Sequence, residues 1–363
     1  MNRTQKVCGL LFLAMAWVLG GWAQRTDGVG SAAFLRRGVD ARAMGMGGAY
    51  VAVAEGYSAM YWNPAGLARA LAPEVGGMTA NICGVDIFFN FLAARLAWDF
   101  SPQTPSVGSS EPEEVGGEEP NLAGAEPGLV GGVVPRGTTF RLAVGLSWTE
   151  MSTEVFAFDE YGSPLGLIRY TEALYGLGVA GWVPRLGYLG GVAKAYSYRA
   201  PKAGVGGADA TAFGIGFDLG LTAPVWEEKL WLGLAAADAG DTRVKWKNTP
   251  TEPTDKVAGR YTAGLALFAP NLVLEGDRLV LAVDGVWEPL VAGRSVRGGV
   301  EYTLLFLSLR AGAVWRENVG FSLTAGAGIR ALGLVIDGAW VQNRELAVEG
   351  AGHTLVISAF FRF

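Results

Sequence analysis

Along most of this chain apolar and polar residues take turns with a period of two. In "FRLAVGLSW" Phe140, Leu142, Val144, Leu146 and Trp148 fall on one side, with Arg141, Ala143, Gly145 and Ser147 on the other. "FGIGFDLGLT" sorts Phe213, Ile215, Phe217, Leu219 and Leu221 against Gly214, Gly216, Asp218, Gly220 and Thr222. "FSLTAGAGIR" does the same with Phe321, Leu323, Ala325, Ala327 and Ile329. A helix would scatter these residues around its axis, whereas a strand separates them onto two faces.

The pattern predicts fourteen strands, near 73–82, 85–99, 139–150, 169–183, 187–198, 209–223, 230–239, 258–269, 279–288, 295–304, 306–316, 319–330, 331–343 and 352–363. Most approach the roughly 9–11 residues that carry a tilted strand across a bilayer. Connections after even-numbered strands are short, as at Pro184 to Leu186 and at Leu305, while longer ones such as Met151 to Ile168 and Gly240 to Val257 follow odd-numbered strands. Alternating short and long connections are the habit of transmembrane barrels.

Composition sharpens this. The chain is 50% hydrophobic and 17% charged, with 54 glycines and a mean hydropathy of +0.27; soluble domains carry about 25% charged residues. Beyond residue 23 no apolar run reaches the length of a membrane helix. Apolar residues diluted by alternation point instead to an all-β fold, a transmembrane antiparallel β-barrel. The final strand, "HTLVISAFFRF", sets Leu355, Ile357, Ala359 and Phe361 on one face and ends on Phe363, an aromatic placed for the membrane interface.

Residues 1–23 carry Arg3 and Lys6, an apolar stretch from Val7 to Leu19, and Gly21-Trp22-Ala23 before Gln24. This is the layout of a removable signal peptide, taking Cys8 with it, and it predicts export to the outer membrane. The remaining Cys83 then has no partner for an internal disulfide. The segment 101–137, rich in Pro, Gly, Ser and Glu, reads as a disordered acidic insertion on the periplasmic side of the 73–363 barrel, either a solvated loop or a docking site for a periplasmic partner.

The residues exclude several chemistries. A single histidine, His353, leaves no histidine metal cluster and no Ser-His or Cys-His pair, so neither enzyme activity, metal nor cofactor is expected. The balance is acidic, without a basic stripe, which argues against nucleic acid. Gly45, Gly47 and Gly48 begin like a dinucleotide fingerprint, but Tyr50 takes the last glycine position and no cation lies between Arg42 and Arg69. Arg141, Asp218, Asp284, Arg297, Glu301, Arg310, Arg330 and Asp337 fall on predicted inward faces, together with Arg316 and Arg362. They either brace the wall and whatever fills it or line a selective path; mixed signs without a ring favour bracing. Trp148, Trp182, Trp226, Trp231, Trp287, Trp315 and Trp340 are expected in an interfacial girdle.

The stretch "GVDARAMGMGGAYVAVAEGYSAMYWNPAGLA" resembles the N-terminal signature of the PorV/PorQ family, within the wider FadL-like group of outer-membrane barrels. Ala41-Arg42-Ala43, Gly45 through Ala52 and Trp62-Asn63-Pro64-Ala65-Gly66-Leu67 match that signature. Glu55-Gly56 stands where the family has two acidic residues, and His353-Thr354 reverses its Thr-His order near the end.

The resemblance implies a fourteen-stranded barrel with residues 24–72 folded inside as a hatch. Asn63, Pro64, Ala65 and Gly66 would form its central turn, with Gly45, Gly47 and Gly48 packing close to the wall and Pro64 and Gly66 making a tight reversal. In the FadL branch such a hatch gates passive passage of fatty acids or other hydrophobic compounds, which leave sideways through the wall into outer-membrane lipid. In the PorV branch the barrel serves type IX secretion as a shuttle or platform for secreted proteins. A structural barrel with a closed lumen is the remaining reading.

Overall fold

A computed structural model of the chain describes residues 31–82, 87–100, 140–158, 162–291, 293–317, 319–342 and 352–363. The expected signal peptide (1–23), Cys83 and the 101–137 insertion lie outside the described residues.

The strands are β1 (Glu74–Asn81), β2 (Ile87–Asp99), β3 (Arg141–Phe158), β4 (Pro164–Val183), β5 (Gly187–Ala200), β6 (Ala210–Trp226), β7 (Leu230–Ala237) and β8 (Thr242–Lys247), then β9 (Thr254–Val257), β10 (Arg260–Pro270), β11 (Arg278–Glu288), β12 (Gly293–Leu304), β13 (Leu307–Arg316), β14 (Gly320–Ala331), β15 (Leu334–Gln342) and β16 (His353–Arg362). β1 to β7 each pair antiparallel with the next, β7 pairs with β10, β10 to β16 each pair with the next and β16 returns to β1, while β8 pairs with β6 and with β9 beside the ring. Fourteen strands close the barrel. Closure gives each of the fourteen ring strands a partner on both sides, as lipid demands of backbone polar groups.

Alternation decides which face is which. On β6, Phe213, Ile215, Phe217 and Leu219 are exposed while Ala212 and Asp218 are buried; on β14, Phe321, Leu323 and Ile329 are exposed while Ser322 and Thr324 are buried. The greasy face therefore points out and the small or polar face points in, the reverse of a soluble sandwich. At the rims the outer face carries aromatic residues, among them Trp98, Trp226, Trp315, Trp340 and Phe363.

Two segments differ from the sequence expectation. Met151 to Ile168, expected as a loop, is largely strand, because β3 and β4 run in register from Leu142 opposite Gly181 to Ala157 opposite Gly166 and so lengthen into one hairpin. Gly240 to Val257 contains the β8–β9 hairpin, whose first strand pairs with the upper part of β6.

That hairpin interrupts the wall. Leu219 faces Ala236 on β7, but Gly214 faces Val244 on β8, so the ladder loses register over residues 238–241. Across the same level, Arg260 faces Ala237 while Val257 faces Thr242. Asp238 and Asp241 adopt positive φ there.

Candidate functional site in the lumen

The segment from Ser31 to Ala72 occupies the interior. Ser31 donates its N–H to the Lys256 carbonyl (3.0 Å), Ala33–Arg37 form a 3₁₀ turn, and two short helices follow, α1 (Ala41–Gly45) and α2 (Ala59–Trp62). Asp40 caps α1 through the Arg42 N–H, and Asn63 caps the Pro64–Ala68 turn through the Ala65 N–H. Val39, Ala41, Met46, Ala54, Ala65 and Leu67 are fully buried. These elements are too short to be stable alone. Their stability comes from contact with the wall.

The wall has given up side chains to receive them. A Cβ on Gly312 would come within 2.2 Å of the Gly47 nitrogen, one on Gly299 within 2.4 Å of the Met46 carbonyl, and one on Gly233 within 2.4 Å of Val51. On the opposite wall, a Cβ on Gly190 would meet Pro64 at 2.5 Å and one on Gly220 would meet Asn63 at 2.0 Å. Gly47 and Gly48 themselves sit at φ of +69° and +71°, a region costly to any residue with a Cβ. Backbone-to-backbone packing on this scale explains much of the chain's glycine excess.

Asn63 is fully buried. Its amide nitrogen, with two hydrogens to give, lies within hydrogen-bond distance of the Val51 carbonyl (2.8 Å), the Leu221 carbonyl (3.0 Å) and the Thr222 hydroxyl (3.0 Å), joining two parts of the segment to β6. Asp284 on β11 accepts from the N–H groups of Tyr50 (2.7 Å) and Val51 (2.9 Å). Thr324 on β14 donates to the Gly45 carbonyl, and Ser358 on β16 bonds Asp40.

Charges complete the attachment. Arg42 grips Glu301 on β12 with two 2.8 Å bonds and Glu55 of its own segment with a third. Glu301 also accepts from Arg310 on β13 (2.6 Å), which reaches Asp337 on β15 (2.6 Å). Burial alone would raise the Glu55 carboxyl, but the Arg42 and Arg69 guanidiniums outweigh it and hold it below the ordinary range. Lower down, Arg95 donates to the carbonyls of Leu67, Ala70 and Ala72, and Glu74 accepts the Tyr57 N–H.

An internal cavity of about 40 Å³ lies above this packing, lined in part by Leu35, Met60, Tyr61, Leu174, Lys194 and Asp238. By that measure a water takes roughly 10–15 Å³, so the space suits a few waters and not a hydrocarbon. One side of it is the interrupted wall. There Lys194 on β5 bridges Asp218 and Asp238 (2.6 Å each), Tyr196 and Thr242 donate to Asp238, and the Asp238 N–H donates to Asp218.

Of the ten charges named from the sequence, Arg141, Asp218, Asp284, Arg297, Glu301, Arg310 and Asp337 are buried. Asp284, Glu301, Arg310 and Asp337 join the network just described. Asp218 belongs to the lysine cluster, and Arg141 pairs with Asp99 (2.9 Å). Arg297 lies over the Trp62 ring and donates to the Gly48 carbonyl at 3.4 Å, and Arg330 donates to the Ser308 hydroxyl at the same distance.

Three sequence readings need correction. Trp182 and Trp231 are not in the girdle; both are buried on the inner face, where Trp231 stacks with Tyr188 and carries the Arg69 guanidinium 4.4 Å above its ring. Gly66 makes no reversal: it lies within the Pro64–Ala68 turn without positive φ, and its lack of a side chain serves space, since a Cβ would fall 2.2 Å from the Ala54 carbonyl. Gly56, odd against the family signature, leaves room for the Glu74 carboxylate, which a Cβ would approach to 2.1 Å. Arg95, Glu74, Lys194 and Asp238 were not singled out from sequence; Arg95 had a signal, being the lone charge on the inward register of "FFNFLAARLAW".

No known family profile matches the chain, and no curated protein does. Solved structures do. The toluene transporter TbuX of Ralstonia pickettii is 14% identical with a TM-score of 0.51, covering 90% of this chain and 99% of that one. The monoaromatic hydrocarbon channel CymD is 13% identical with a TM-score of 0.54, over 90% and 98%. The P. putida toluene transporter TodX is 13% identical with a TM-score of 0.51, over 90% and 99%. The chain shares their fold. At such identity the likeness is one of architecture alone.

Proposed function

We propose that the chain is an outer-membrane transporter that passes hydrophobic compounds passively, with residues 24–72 acting as the hatch. The observation that carries this reading is a barrel with an apolar outer face filled by a segment docked on wall glycines. The fold it shares with TbuX, TodX and CymD, named as toluene transporters and a monoaromatic hydrocarbon channel, supports the substrate class. The cavity above the segment has room for only a few waters, so passage requires the hatch to shift. Fatty acids or smaller hydrocarbons fit the class, and release into membrane lipid at the interrupted β6–β7 seam fits the position of the cavity.

The test locks the hatch. In a background with Cys8 and Cys83 replaced by serine, Asn63→Cys with Thr222→Cys places two thiols where side chains now meet at 3.0 Å. Uptake of a hydrophobic fluorophore is expected to fall on oxidation and return on reduction. Equal uptake in both states would remove the gating role.

The filled lumen also suits a second reading, a PorV-like platform of type IX secretion, which the matched stretch from Ala41 to Leu67 favours at the level of sequence. Secreted proteins co-purifying with the barrel, without hydrophobic uptake in any redox state, would decide for it.

A further inference from the structure

The turn between β10 and β11, "NLVLEGD" (271–277), presents Leu272, Val273 and Leu274, each more than half exposed, at the periplasmic end of the wall. A turn standing in water has no use for three exposed aliphatic side chains, nor for internal partners for its backbone. This turn has both. The Asp277 carboxylate accepts from the N–H groups of Leu272 (2.6 Å), Val273 (2.9 Å) and Leu274 (2.9 Å). Asn271 donates its N–H to the Asp277 carbonyl, Gly276 donates to the Asn271 side chain, and Asp277 donates to the Leu274 carbonyl. Only the Glu275 N–H of the seven lacks such a partner among these bonds. The Tyr302 hydroxyl on the adjoining strand fixes the carboxylate at 2.7 Å.

Satisfied backbone donors beneath an apolar surface are what a segment needs where water is scarce. Neighbouring turns continue the surface. Leu305 and Phe306 between β12 and β13, and Leu332 between β14 and β15, are exposed on the same stretch of rim, and the outward residues Leu281 and Leu309 join them to the lipid-facing wall. The β6–β7 turn, by contrast, is Glu227-Glu228-Lys229.

We infer that the 271–277 turn is a lipid anchor, seated at the headgroup boundary of the periplasmic leaflet with Leu272, Val273 and Leu274 among the acyl chains. The occupant is phospholipid, because the surface is continuous with the wall that already faces lipid. The anchor holds the β10–β15 side of the rim at membrane depth while the charged β6–β7 turn stays in water. This rests on the membrane-spanning reading of the barrel.

The experiment uses the full chain with Cys8 and Cys83 replaced by serine, carrying a bimane label on Val273→Cys, Phe306→Cys, Leu281→Cys or Glu228→Cys. The labelled proteins are reconstituted in vesicles of phosphatidylcholine brominated along its acyl chains, and heat-modifiable migration on gels confirms folding. Labels at 273 and 306 are expected to lose fluorescence as the wall label at 281 does, and to resist aqueous iodide, which quenches the label at 228. Iodide quenching at 273 alongside lipid quenching at 281 would overturn the anchor and leave the barrel reading intact. Protection at 273 from both quenchers would also overturn it, in favour of contact with a second copy. Absence of lipid quenching at 281 would remove the membrane reading itself.

Discussion

At the scale of single residues, Asn63 and Gly66 do different work three positions apart. Replacing Asn63 with alanine leaves the Val51 and Leu221 carbonyls and the Thr222 hydroxyl without their shared donor. Buried groups left unpaired cost about 1–3 kcal/mol each, and the segment loses its bridge to β6. The expected outcome for Asn63→Ala is faster dye entry and earlier proteolysis within residues 31–72, with the barrel still heat-modifiable on gels. Gly66→Ala drives a methyl against the Ala54 carbonyl, an overpacking of roughly 1–3 kcal/mol; limited proteolysis should again detect a loosened segment inside an intact wall. Asn63 and Pro64 stand out from the motif alone. The partner of Arg42 does not, because Glu301 lies 259 residues away and no local spacing connects them. Pairs like this arise only when β12 comes to stand beside α1.

Strands were the most legible elements, since lipid on one side and the luminal segment on the other enforce alternation over ten residues or more. Where the environment is neither lipid nor lumen the signal fades. The β8–β9 hairpin stands above the membrane, so its outward positions, Arg243, Lys245 and Lys247, are charged, and Pro250 and Pro253 lie in the stretch that joins its strands. Inward aromatics misled for a related reason. A water-filled lumen would keep Trp231 out, but a lumen packed with protein needs apolar surface on both sides of the contact. The β10–β11 turn carries its own pH prediction. Burial pushes the Asp277 carboxyl up, yet the Tyr302 hydroxyl and the N–H groups of Leu274, Val273 and Leu272 outweigh it and hold it at about 2. A depressed carboxylate stabilises the fold above its unfolded value of about 3.9 and loses that contribution as pH falls through the folded one. Amide exchange over residues 271–277 should therefore stay slow relative to the intrinsic rate above pH ~4 and lose its protection towards pH ~2. Asp277→Ala should lack the protection throughout, and a wild-type profile in that variant would refute the assignment.

For the whole molecule, closure of the ring decides which parts of the chain the barrel can do without. β2 and β3 remain in register to their periplasmic ends, with Asp99 opposite Arg141. One step beyond, the Phe100 N–H donates to the Phe140 carbonyl at 2.8 Å, and the two rings lie 6.0 Å apart. The hairpin is therefore complete before the chain enters the segment that follows Phe100, and nothing in the ladder depends on that segment's length. Loop-closure entropy grows only with the logarithm of loop length, about 0.6 kcal/mol per doubling, so a long insertion here costs the barrel little and its removal gains little. Replacing residues 101–139 with a short Gly-Asn turn should give a barrel that inserts, migrates as a heat-modifiable band and melts within a few degrees of the parent. Dye uptake should also be unchanged if the acidic stretch is a solvated loop. If the shortened barrel folds normally but no longer retains a periplasmic protein that the parent co-purifies, the insertion is a docking element, and the platform reading gains on the transporter. Failure of the shortened chain to insert would mean that residues 101–139 contribute to assembly before the ring closes, a role the finished ladder does not require.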